Sequence, residues 1–388
     1  MANANNFIQE YGDISFTEKP FCDADNVALC RMFYMPLEKV APNNFTDEPM
    51  AFDEVCNRMY AYNGNKNVAP GLVLTKGISV MMMKMAKCRR YAEMKVVACT
   101  ETFREKPAVQ FGAVTLLLPD GTVVVLFRGT DDTLIGWKED FDMVSKKGVP
   151  SHKLAVDYLN TVGKMFDGDI IVCGHSKGGN VALYGALYCD ESVRERIEYL
   201  YNNDGPGFYS FDYINSAAYK ELVPKYKHFV PDNSFFGMLL AHDDDYVPIK
   251  SSRFLGLLQH DLVSWQIKDD TVIKKDDLRF LAKVSDIAFF DLVFKSSDEQ
   301  LNALDIVLEA CIEAMNVRGL LDFAKSAVSS AKSAKDTFLG MDEETKEAMK
   351  SILTEFPEII KGAVEMVRNQ AFPAASEKVR NLAKAVAV

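Results

Sequence analysis

The sequence predicts an α/β fold, a mostly parallel sheet covered on both faces by helices, with a helical N-terminal segment and a C-terminal helical extension. Three observations carry this. Near-continuous apolar, β-branched runs alternate with helical periodicity between Met94 and Ile249, the pattern of strands buried on both faces. One such run, Ile170–Cys173, passes through Gly174-His175-Ser176-Lys177-Gly178 into a small-residue helix pattern. The chain's two ends lack strand-like runs altogether.

Taken in order, Val27, Leu29, Cys30, Met32 and Phe33 space out a first helix, capped by Asp23 or Asp25 and ended by Pro36. Glu48–Tyr62 reads as a second helix. Met81-Met82-Met83-Lys84-Met85 reads as buried helix, since soft thioethers fill irregular cores. The runs 95–98, 111–118 and 122–127 read as strands, the last two joined by Pro119-Asp120-Gly121 as a hairpin. Ser151–Phe166 is helical, and Tyr246–Ile249 is the last strand. Beyond a boundary near Asp270 the pattern stays helical. Ser297 and Gln300 have capping-box spacing; Leu301, Leu304, Leu308, Cys311 and Met315 form one stripe, and Gly319, Gly340 and Pro357 punctuate the rest. The expected division is residues 1–270 and 271–388.

Composition narrows the function. With 388 residues and 48% hydrophobic content, the chain can bury a large core. A net charge of -11 with no basic run argues against a nucleic-acid partner. No apolar stretch approaches the ~20 residues of a membrane span. The amphipathic C-terminal helices leave peripheral membrane contact open, though packing on the core accounts for them. The N-terminus lacks a secretory pattern, and eight scattered cysteines without a Cys-x-x-Cys pair suit a reduced, cytoplasmic protein. No metal or other cofactor is expected, because no histidine pair has ligand spacing. The order of residues 174–180 also lacks the Gly-Lys-Ser/Thr of a nucleotide-binding loop. Oligomeric state is not legible.

Gly-x-Ser-x-Gly between a strand and a helix is the context of a nucleophile elbow, which presents the Ser176 hydroxyl above the sheet. Such a serine needs a histidine base and an acid that orients it, in the order Ser, acid, His. Of the five histidines, that order excludes His152, and His175 points away from its neighbour's hydroxyl. His260, on the loop after the last strand, is the base. The acid stays open: Asp204 leads at a strand end before Gly205-Pro206-Gly207, with Asp232 and then Asp245 behind it. The oxyanion donors are the backbone N–H groups of Lys177 and of Thr130, the latter in Gly129-Thr130-Asp131-Asp132.

Phe127-Arg128-Gly129-Thr130 with Trp137 and Asp140, then Gly174–Gly179, resembles the class 3 lipases. Residues 203–208, 234–239 and 259–266 and the Tyr11–Asn26 region are similar to a bacterial lipase-like family of α/β-hydrolases of poorly defined function. The resemblance runs from about Phe7 to Lys268. It implies an α/β-hydrolase fold and a Ser-His-Asp triad acting on an acyl ester or lipid. Lys177 stands where leucine is usual, and Ser234 about where the class 3 aspartate falls. The alternative is a non-catalytic lipid- or protein-binding scaffold on the same fold.

Overall fold

A computed structural model describes residues 2–64, 66, 77–131, 133–145, 148–243, 245–315, 332 and 334–369. The chain opens with helices α1 (Ala4–Tyr11) and α2 (Asp23–Met32), then strand β1 (Met50–Ala51) and helices α3 (Phe52–Tyr62), α4 (Ile78–Met85) and α5 (Arg89–Ala92). Strands β2 (Lys95–Arg104), β3 (Val109–Leu117) and β4 (Val123–Phe127) lead to α6 (Leu134–Ser145) and α7 (Pro150–Met165). Then come β5 (Ile170–His175), α8 (Lys177–Tyr188), α9 (Glu191–Arg194), β6 (Ile197–Asn203), α10 (Ala217–Leu222), β7 (Tyr226–Pro231) and β8 (Tyr246–Ile249). Short α11 (Gly256–Gln259) and a hairpin of β9 (Ile267–Lys268) and β10 (Thr271–Val272) precede the long helices α12 (Phe280–Lys295), α13 (Asp298–Met315) and Glu343–Arg368.

Strands β1 to β8 form one sheet in chain order. The first three pairings are antiparallel and the four from β4 to β8 are parallel. The architecture is therefore α/β and mostly parallel, with the carboxyl ends of β4 to β8 on one edge. The two-residue period of a strand sorts β4 cleanly. Val123, Val125 and Phe127 pack beneath α7 and α8, whereas Val124 and Leu126 pack beneath the N-terminal helices.

The N-terminal segment is built into the body. Every residue of α2 is buried, including Asp23, Asp25, Asn26 and Arg31. Neither candidate aspartate caps it. Cys22 is the N-cap, and Asp25, at the third helical position, accepts its N–H at 3.1 Å. Asp25 is held there by a buried fork from Arg90 (2.8 and 2.6 Å) and by the Tyr91 hydroxyl at 2.9 Å. Such a charge is tolerated because it is paired and hydrogen-bonded.

Other elements differ from expectation at their edges. The 48–62 segment begins as strand β1 on β2 before turning helical. Pro357 lies inside helix Glu343–Arg368 rather than ending it. Gly340 does end a helix over 334–340. Ser297 and Gln300 exchange the two capping-box hydrogen bonds at 3.2 and 2.7 Å. Leu301 of the expected stripe is buried and Leu304 half-buried. The side chains of Leu308, Cys311 and Met315, together with Gly319, lie outside the described residues, as do Asp132 and Asp244. No helix among the described residues is long and apolar enough to cross a membrane.

Candidate active site

Strand β5 ends at His175, and Ser176 turns the chain into α8 with φ 58° and ψ −133°. That is a sparsely populated backbone state for a non-glycine residue. It persists because its surroundings leave no alternative. A Cβ on Gly174 would stand 2.0 Å from the Gly178 carbonyl oxygen, and one on Gly178 would stand 2.2 Å from that of Phe127. Two glycines thus let strand, turn and helix touch through bare backbone. Ser176 remains partly exposed at the carboxyl edge, and its hydroxyl makes no hydrogen bond to another side chain among the described residues. Such contacts often form only with substrate bound.

The structure brings His260 and Asp204 together and leaves the other acids apart. His260 Nδ1 lies 2.7 Å from Asp204 Oδ2, with both side chains buried. Asp204 follows β6 with φ 54°, and its second oxygen accepts the Ser234 hydroxyl at 2.5 Å and the Gly237 N–H at 3.2 Å. Burial pushes this carboxyl up from its ordinary value, an effect the Ser234 hydroxyl, His175 and the Gly237 amide partly offset. Burial also pushes His260 down. We read His260 as a neutral ring that donates Nδ1–H to Asp204 and keeps its Nε2 lone pair. Asp232 instead pairs with Arg279 at 3.1 Å and accepts Gln259 Nε2 at 3.1 Å. Asp245 accepts the Tyr219 hydroxyl at 3.1 Å.

His175, passed over in the sequence, holds His260. Its Nε2 lies 2.9 Å from the His260 carbonyl oxygen, which can only accept, so Nε2 carries the proton. Nδ1 then accepts the Tyr34 hydroxyl at 2.6 Å. The two histidine rings lie 4.4 Å apart, and Phe236 covers His260 at 4.3 Å. The residue just before Ser176 thus fixes the loop that carries His260.

On the other side, a Cβ on Gly129 would stand 3.0 Å from Ser176 Cβ, so the Thr130 backbone runs beside the elbow. The Thr130 hydroxyl donates into the Asp140 carboxylate, 2.8 and 2.6 Å from its two oxygens. Burial lifts that carboxyl to about 6 despite Lys177 and the hydroxyl. Lys177 opens α8, where the first N–H groups have no helix acceptor and attract developing negative charge. Its side chain leaves the site. Buried Nζ donates to Gln110 O and Oε1 at 2.8 Å each and to Glu139 Oε2 at 3.0 Å. Glu139 also accepts from Gln110 N, Ser151 N and Ser151 Oγ. The extra cation is a core strut.

His152 serves structure as well. It donates Nε2–H to Asn180 Oδ1 (2.7 Å), accepts Val149 N–H at Nδ1 (3.3 Å) and stacks on Tyr184 at 4.0 Å. Burial lowers its pKa from 6.5 to about 4. A folded value below the unfolded one gives stability that is present above pH 6.5 and is lost as pH falls through about 4. The expected result is that the unfolding free-energy gap between wild type and His152→Gln narrows by about 3 kcal/mol from pH 7 to pH 4. Urea titrations across that range check it, and a constant gap refutes it.

Among the described residues, no group of three or more His, Cys, Asp or Glu side chains is placed to hold a metal ion. The model of the Mbeg1-like family matches residues 85–308, more than half of the chain. No curated protein and no solved structure matches.

Proposed function

The chain belongs to the Mbeg1-like family, and on that premise we propose that it is a serine hydrolase that cleaves carboxylic esters through an acyl-enzyme. The observation that carries the proposal is the His260–Asp204 hydrogen bond beside a serine held at positive φ. The resemblance of Phe127–Thr130 and Gly174–Gly179 to class 3 lipases supports an ester or lipid as substrate, on an α/β-hydrolase fold.

In this reading Ser176 Oγ attacks the acyl carbonyl carbon while His260 Nε2 takes its proton. Asp204 keeps the proton of His260 on Nδ1, so that Nε2 is the basic nitrogen, and stabilises the imidazolium that forms. The Thr130 and Lys177 amides stabilise the oxyanion, with the Asp140 carboxylate holding the Thr130 side chain so that its backbone stays aimed. Protonated His260 returns its proton to the leaving alkoxide. Water, deprotonated by His260, then releases the carboxylic acid and restores Ser176.

The test is p-nitrophenyl ester turnover across acyl lengths, with fluorophosphonate labelling, on wild type and Ser176→Ala. Turnover and labelling in wild type, both lost in a folded Ser176→Ala, are expected. The length profile separates lipase from short-chain esterase. The second reading, a non-catalytic lipid- or protein-binding scaffold, is favoured by the Ser176 hydroxyl making no hydrogen bond to His260 among the described residues. A folded wild type that neither labels nor turns over any ester would sink the ester-hydrolase reading and shift the weight to the scaffold or to thioester or amide substrates.

A further inference from the structure

The rim of the candidate site protrudes. Phe254, Leu255 and Leu257 are 75%, 61% and 41% exposed, and Phe280 and Leu281 at the start of α12 are 43% and 64% exposed. The two segments adjoin. The Arg279 guanidinium lies 5.3 Å over the Phe254 ring, and Arg279 N–H donates to the Asp232 carbonyl. The first segment rests on the 232–236 turn, where Asn233 Nδ2 donates to the Phe254 carbonyl at 3.1 Å. That same turn carries Ser234, which holds Asp204, and Phe236, which covers His260. Apolar side chains this exposed face solvent rather than a core.

Arg253 directly precedes Phe254, and Lys250 and the Lys274-Lys275 pair come a few residues before Phe254 and Phe280 in the chain. Lys250, Arg253, Lys274 and Lys275 are all exposed. Backbone pairing gathers three of them, since Lys250 N–H donates to Ile273 and Lys275 N–H to Pro248. None of the four forms an ion pair among the described residues. Asp276 and Asp277 follow Lys275 directly, and Asp277 is paired with Lys283. A cation-rich rim runs against the sign of a chain with net charge -11, which an anionic surface would otherwise repel.

We propose that this rim docks on an anionic lipid surface. Phe254, Leu255, Leu257, Phe280 and Leu281 enter the boundary between headgroups and acyl chains, and Lys250, Arg253, Lys274 and Lys275 pair with the headgroup phosphates. Of the C-terminal helices, the surface takes in only the start of α12. It goes beyond the ester-hydrolase reading, and its test is run on the Ser176→Ala protein so that the two fail separately.

The experiment is flotation of that protein with vesicles of phosphatidylcholine alone and of phosphatidylcholine mixed with phosphatidylglycerol. Binding to the mixed vesicles, weakening with added salt, is expected. Adding Phe254→Ser, Leu255→Ser and Leu281→Ser, or separately Lys250→Glu, Arg253→Glu, Lys274→Glu and Lys275→Glu, lowers partitioning by at least about tenfold. Melting curves confirm that both sets fold. Equal binding to the two vesicle types, no binding to either, or variants that bind like their parent overturns the proposal. So does sedimentation showing a dimer that the apolar substitutions dissolve, which would assign the patch to a second copy of the chain.

Discussion

Asp204→Asn is expected to lower kcat/KM for ester turnover by roughly ten-thousandfold, with Asp232→Asn and Asp245→Asn within about fivefold of wild type. The size follows from a tautomer. The Asp204 carboxylate can only accept, so it keeps the His260 proton on Nδ1, 2.7 Å away. An amide can offer its NH₂ there instead, and the proton then moves to Nε2, the nitrogen that must be basic. Asp232 is spent on Arg279 and Gln259, and Asp245 on Tyr219. The same substitution spares the fold. Burial already disfavours the charged form of Asp204, so a neutral isostere leaves the melting temperature unchanged or higher. Steady-state kinetics beside melting curves checks both halves. Comparable activity in Asp204→Asn would remove that residue from the mechanism.

Lys177→Met is expected to destabilise the protein by about 3–5 kcal/mol, with catalysis by the folded fraction within a few fold of wild type. Methionine nearly matches the lysine stem in volume, so the loss is electrostatic. It strips a fully buried Glu139 of its cation. Adding Glu139→Gln to Lys177→Met removes the stranded charge and should recover most of the loss. Urea midpoints of the two single variants and the double variant measure the coupling. A single-variant loss under about 1 kcal/mol would mean that the pair carries no net stability. The Lys177 backbone N–H, the part assigned to the oxyanion, is untouched by the substitution.

These expectations separate what local sequence can and cannot express. The β5–Ser176–α8 turn was legible because its signal is local. An apolar run, two glycines and a small-residue helix lie within a dozen positions, and each is needed where backbones touch. The hairpin of β3 and β4 was legible for the same reason. Choosing among Asp204, Asp232 and Asp245 was not a local matter. Asp204 and Asp232 are both buried just beyond strand ends, and only the tertiary partners differ: His260 and Ser234 for one, Arg279 and Gln259 for the other. Ser234 was noticed because it occupies the expected place of an acid. In the structure its hydroxyl serves the carboxylate that the preceding strand supplies.

The polar contacts of the N-terminal helices were invisible for a related reason. Tyr34 meets His175 across 141 positions, and Asp25 meets Arg90 across 65. Periodicity marks which face of α2 is apolar but not which buried charge on another element will answer Asp25. Lys177 read as a cation beside the nucleophile because sequence places its Cα and says nothing of where four methylenes carry the ammonium.

The tie between Tyr34 and His175 also bears on what counts as one heritable unit. The family model matches from Met85, yet the hydroxyl that supports His175 comes from before it, as does Arg31, whose guanidinium lies 3.6 Å from the Asp261 carboxylate next to His260. A segment grafted into another protein at that boundary would transfer Ser176, His260 and Asp204 without two of the groups that brace them. Those two contacts tie the first eighty-odd residues to the site as parts of one folded unit.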